Sequence, residues 1–172
     1  DNTSGVFSRV RASGIGNGGD INLSAGTLFV NDGAQVNAIS LGTGNAGNVT
    51  IKATNGITIS GFNQGFPSAV GSSVENEGTG NGGDINIAIR DGSLSLTNGG
   101  IISASILSGQ GDAGNIDIKA RNIYLDDREN SNRGGIFAGT ISGNGGDIRL
   151  QASRSVRLRS GSRIFTSAGG TG

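Results

Sequence analysis

Isoleucine, valine and leucine alternate with polar residues in short runs along the chain, and turn residues punctuate every run. Val49, Ile51 and Ala53 form one such run, Ile85, Ile87 and Ile89 another, and Ile116, Ile118 and Ala120 a third. Strict alternation sends every second side chain to the same face, as a half-buried strand requires. No stretch keeps the i, i+3, i+4, i+7 spacing of an amphipathic helix over three turns. The pattern therefore predicts an all-β chain with essentially no helix.

The runs also recur. Gly16-Asn17-Gly18-Gly19-Asp20-Ile21 returns as Gly44-Asn45-Ala46-Gly47-Asn48-Val49, then as Gly80-Asn81-Gly82-Gly83-Asp84-Ile85. It returns again as Gly111-Asp112-Ala113-Gly114-Asn115-Ile116 and Gly143-Asn144-Gly145-Gly146-Asp147-Ile148, at spacings of 28, 36, 31 and 32 residues. Each turn opens a first run, led by Ile21, Val49, Ile85, Ile116 and Ile148. A second run follows at Leu28/Val30, Ile57/Ile59, Leu94/Leu96, Ile123/Leu125 and Val156/Leu158. The third is expected at Val36/Ala38, Val70/Ser72, Ile102/Ala104, Phe137/Gly139 and Ile164/Thr166, with Val10/Ala12 as its counterpart at the head of the chain.

Three short strands in about 30 residues make one coil, which cannot bury its apolar face alone. Stacking coils at the strand spacing of about 4.8 Å builds three parallel sheets around an interior of like-on-like columns. The predicted fold is a right-handed parallel β-helix of about five full coils, roughly 25–30 Å long, the hand following from that of parallel crossovers. Residues 61–67, with the single proline, are an insertion at one corner of the longest unit. The chain opens inside a third-run strand and stops at Gly170-Thr171-Gly172, a copy of the Gly42-Thr43-Gly44 lead-in. Residues 1–172 are thus expected to be one segment of a longer array, with uncapped strand edges prone to end-to-end association.

Composition narrows the chemistry. About half of the residues are Gly, Asn, Ser or Thr, and Cys, His, Met and Trp are absent. Disulfides, Cys/His zinc sites and histidine-based catalysis are excluded. Thirteen cations balance 13 anions, which argues against a nucleic-acid partner. No apolar run approaches the 18 residues of a membrane span.

At the repeat the sequence resembles a known family. Gly44-Asn45-Ala46-Gly47-Asn48-Val49-Thr50-Ile51-Lys52-Ala53 and its copies resemble the repeats of filamentous-haemagglutinin-like exoproteins, the cyanobacterial large exoproteins above all, from about Val6 to Gly172. The resemblance implies a β-helical stalk, export by two-partner secretion, and adhesion or cell-surface structure, extracellular or on the outer surface. It brings no catalytic residue, cofactor or metal. Nothing here is similar to the family's N-terminal secretion domain with its Asn-Pro-Asn-type motif. The expected partners are neighbouring repeats of the same chain or filament.

Four local features compete with that reading. Gly14-x-Gly16-x-x-Gly19 matches a dinucleotide fingerprint, but it precedes a strand and a near copy appears in every unit, so it is a repeat turn. Asp20, Asn48, Asp84, Asn115 and Asp147 hint at calcium; their spacing instead predicts a hydrogen-bonded polar ladder. Asp126-Asp127 is a carboxylate pair of the type β-helical polysaccharide hydrolases use, expected here to be a solvated corner with Asp126 facing outward. Arg149, Arg157, Arg159 and Arg163 make the last unit basic and are candidate contacts for an anionic surface polysaccharide. Alternatively, Arg157 stacks on Tyr124 and Arg159 pairs with Asp126 across coils.

Overall fold

The computed structural model describes residues 4–106, 108–128 and 134–169. Its strands are β1 (Gly5–Val10), β2 (Ile21–Asn31), β3 (Gln35–Ser40), β4 (Val49–Ser60), β5 (Phe62–Asn63), β6 (Phe66–Pro67) and β7 (Ala69–Val74). They continue as β8 (Ile85–Ile89), β9 (Ser93–Thr97), β10 (Ile101–Ser103), β11 (Ile116–Asp126), β12 (Gly135–Gly139), β13 (Ile148–Arg159) and β14 (Arg163–Ser167). Among the described residues there is no helix.

One parallel sheet runs β1-β3-β7-β10-β12-β14 and a second runs β2-β4-β8-β11-β13, with β9 on the same rung as β8. Within both sheets each inner strand pairs with its counterparts one coil earlier and one coil later, so the chain is a right-handed parallel β-helix of about five turns. Ile21 pairs with Val49, Val49 with Ile85, Ile85 with Ile116 and Ile116 with Ile148, the register that the repeat spacing predicts.

The first and second runs are halves of one bent sheet, not separate sheets. β2, β4, β11 and β13 pass through both runs, with register shifts between Ala25 and Thr27 and between Ala120 and Asn122. The bend holds together because backbone bonds continue across it: Arg90 N–H donates to Ala53 O at 3.0 Å, Asp91 N–H to Thr54 O at 2.8 Å and Arg121 N–H to Gly92 O at 2.9 Å. The insertion folds as the antiparallel β5–β6 hairpin.

The interior is a set of stacked columns. Ile51, Ile87 and Ile118 lie one above another and are almost fully buried, as are Ile57, Leu94 and Ile123. At the outermost coils the same columns meet solvent on one side, leaving Val6, Val156 and Leu158 over 40 % exposed.

The third-run column departs from expectation in two places. Ile136 and Ala138 point inward, not Phe137 and Gly139: Ile136 pairs with Ile102 and Ile164, and both inward side chains are fully buried. Phe137 stands on the outer face beside Phe165. At the head of the chain Val6 and Ser8 take the column, not Val10 and Ala12, because Val6 pairs with Val36 and Ser8 with Ala38. At β12 the slip is of one residue, which exchanges the faces of a strand, and adjacent Ile136 and Phe137 made either phase plausible; at the head the shift is of four residues, so Val10, paired with Ser40, keeps the inward face.

Candidate functional site

The corner that the glycine-asparagine motif builds is the most regular part of the surface. Gly16, Gly44, Gly80 and Gly111 have φ of 134°, 139°, 145° and 144°, a region closed to side-chain-bearing residues. A Cβ on Gly80 would also sit on the carbonyl oxygen of Gly44. The motif therefore serves tight stacking of corners.

Two side-chain ladders climb this corner. Asn48 N–H donates to Asp20 Oδ1 at 2.7 Å, Asp84 N–H to Asn48 Oδ1 at 2.8 Å, Asn115 N–H to Asp84 Oδ1 at 2.8 Å and Asp147 N–H to Asn115 Oδ1 at 2.9 Å. Beside it, Asn45, Asn81, Asp112 and Asn144 donate their N–H groups to Asn17, Asn45, Asn81 and Asp112 in turn, at 2.8–3.0 Å. Each ladder oxygen thus closes a backbone bond to the next coil. Among the described residues no three acidic groups converge as metal ligands would.

Asp126 and Asp127 are not a solvated corner: they are only 5 % and 2 % exposed. Asp126 does leave the outer face of its strand, but Tyr124 donates its hydroxyl to Asp126 Oδ2 and Arg128 Nε lies 3.0 Å from the same oxygen. The Tyr124 hydrogen bond is the main reason the Asp126 carboxyl titrates below its usual range, and the same bond raises the Tyr124 phenol. Asp127 turns the other way and accepts from Gly134 N–H at 3.0 Å, fixing the approach to β12. The two carboxylates point to separate tasks instead of facing one bond.

Arg149, Arg157 and Arg159 face outward on β13, while Arg163 faces outward on β14, in the other sheet, so the four do not form one surface. Arg157 lies beside Tyr124 and Arg159 beside Asp126 in register, but Asp126 takes Arg128 as its ion-pair partner. Arg149 Nη1 is 3.6 Å from Asp117 Oδ2. Arg9 does stack on a ring, 5.7 Å above Phe7.

Surface depressions lie on both sheets. On the outer face of the first sheet a groove of about 530 Å³ lies over Gly71 and Ser103, flanked by Phe137 and Phe165. On the second sheet a shallow trough follows the bend between the first and second runs: a stretch of about 540 Å³ joins one of about 410 Å³ through Ile89, Arg90 and Lys119. Ala25, Ala53, Ile89, Ala120 and Ala152 line the bend beneath it, the middle three with their side chains turned into the core, and the exposed Ala88 lies on its surface. Lys52 and Lys119 occupy the rungs on either side of Ala88. These cations are far apart in sequence, and only the register, with offsets of 36 and 31 residues, places them together.

Compared with protein-family models, curated proteins and solved structures, the chain matches none.

Proposed function

We propose that the chain is a stretch of the shaft of an exported, rod-like exoprotein, lying outside the cell or on its outer surface, with a structural or adhesive role and no catalysis. The observation that carries this reading is the corner ladder. The most repeated polar side chains of the sequence are committed to joining one coil to the next, which serves the continuity of a rod. The likeness of the repeat to filamentous-haemagglutinin-like exoproteins supports export by two-partner secretion, and neighbouring repeats are the natural partners. Antibodies raised against the folded chain test the location. Labelling of intact producing cells, or recovery from the medium, is the expected result; labelling only after lysis overturns it.

A polysaccharide-degrading reading has one observation in its favour, the buried Asp126 and Asp127 on adjacent positions. Incubation with polygalacturonate and alginate separates the two. New reducing or unsaturated ends, abolished by Asp126→Asn, would replace the shaft by an enzyme.

A further inference from the structure

The chain is neutral overall, yet its charge is divided between two sides. Carboxylates of Asp20, Asp84, Asp112 and Asp147 stand along the ladder corner. Lys52, Arg90 and Lys119 line the trough, and Arg121, Arg149 and Arg154 stand exposed on the same sheet close to it, against Asp91 and Asp117. The two acids are already shared: Asp91 lies 3.8 Å from Arg90 and 3.5 Å from Arg121, and Asp117 lies 3.8 Å from Lys119 and 3.6 Å from Arg149. Lys52 and Arg154 make no ion pair among the described residues. A row of six cations holding two acids retains a strong positive field.

The shape adds a second constraint. The trough runs along the rod across successive coils, so it suits a linear chain better than a compact ligand. Between Lys52 and Lys119 its surface is the exposed Ala88, which leaves room for a chain to lie across the rungs. No exposed aromatic ring lines it, and single-stranded nucleic acid binding leans on such rings. Lys52 and Lys119 are two rungs apart, about 9.6 Å by the strand spacing, so charges meet a polymer at intervals along its length.

We propose that this trough binds a linear anionic polysaccharide, its carboxylate or sulfate groups held by Lys52, Arg90, Lys119 and Arg154 as the chain passes over Ala88. The site does not depend on the rod being a shaft.

Fluorescence anisotropy with labelled oligosaccharides tests it: a heparin-type sulfated oligomer, an oligogalacturonate, a neutral dextran oligomer and a single-stranded oligonucleotide. Both anionic sugars are expected to bind at low salt and weaken as NaCl rises, while dextran does not bind. Lost surface charge pairs weaken binding about threefold each, so Lys52→Ala/Lys119→Ala/Arg154→Ala should weaken it by about tenfold or more. Arg9→Ala/Arg11→Ala/Arg163→Ala, which removes equal charge from the other side, should change it by less than about threefold. Circular dichroism checks the fold, and the single exposed change Lys52→Glu repeats the test if the triple variant is damaged. No binding of either anionic sugar, equal loss in both triple variants, or tighter binding of the oligonucleotide than of both sugars would overturn the site.

Discussion

Ile87→Ala is the sharpest test of the stacked interior. Ile87 is 2 % exposed and lies between Ile51 and Ile118, themselves 1 % and 0 % exposed. The change removes three carbons, about 2.4 kcal/mol at about 0.8 kcal/mol each. Both neighbours are held by their own rungs, so the site relaxes little. A residual void of roughly 50 Å³ adds about 1.2 kcal/mol at about 24 cal/mol per Å³. The expected loss is about 3.5 kcal/mol, a fall in Tm of roughly 7–14 °C for a chain of this size. Two comparisons locate the effect. Asn86→Ala, one residue away on the outer face, should cost under about 0.5 kcal/mol. Leu158→Ala, in the same kind of column but 46 % exposed, encloses no void and should cost about 1.2 kcal/mol. Urea unfolding followed by circular dichroism measures all three. Equal losses at positions 86 and 87, or a Leu158 loss matching that of Ile87, would refute the reasoning.

The remaining predictions test the corner, the third run and the buried carboxylate. Gly80→Ala should cost about 2 kcal/mol or more through its positive φ and the Gly44 carbonyl, whereas Gly65→Ala, with φ of 96° but open space around it, should cost less; equal urea midpoints would contradict this. Asp84→Asn should be close to neutral because amides already serve on neighbouring rungs, while Asp84→Ala should lose about 1 kcal/mol with its bond to Asn115. Ile136→Ala should cost about 2–5 kcal/mol and Phe137→Ala clearly less, and the reverse order would restore Phe137 to the interior. Asp126 has a lowered folded pKa, so its stabilisation is present above the ordinary carboxylate range and is lost as pH falls through the lowered value. Tyr124→Phe should raise the Asp126 pKa and start acid unfolding at higher pH, as a carboxyl-carbon NMR titration would show. Tyr124 itself, with a raised pKa, contributes below the usual phenol range and ceases to as pH rises through its folded value.

The coil, its register and the ladder were legible because they repeat. A motif that occurs five times averages out local ambiguity, and Ile21, Val49, Ile85, Ile116 and Ile148 could be aligned without any structure. The misreadings fall where one copy had to be read alone. Ile136 and Phe137 are adjacent apolar residues, and alternation gives no phase there; in the first strand Val6, Ser8, Val10 and Ala12 share one phase, and alternation does not say which pair meets Val36 and Ala38. The burial of Asp126 was hidden for another reason: alternation tells which way a side chain leaves its strand, not what folds over it. Tyr124 and Arg128 decide that. The cationic trough was hidden by counting charge along the chain, which singled out the last unit. Lateral neighbours such as Lys52 and Lys119 emerge only when residues 36 and 31 apart are set side by side.

The way the rungs are joined has a mechanical consequence. Hydrogen bonds in a sheet lie across its strands, so here they point along the rod, and each coil touches only its neighbours. Tension on the two ends of the polypeptide therefore meets the rungs in series and peels the outermost one first, leaving the next as it was. Each release frees 28 to 36 residues, roughly 95–120 Å of slack at about 3.4 Å per residue. Such a rod yields by paying out line under a nearly level load, where a β-sandwich resists as a block and then fails at once.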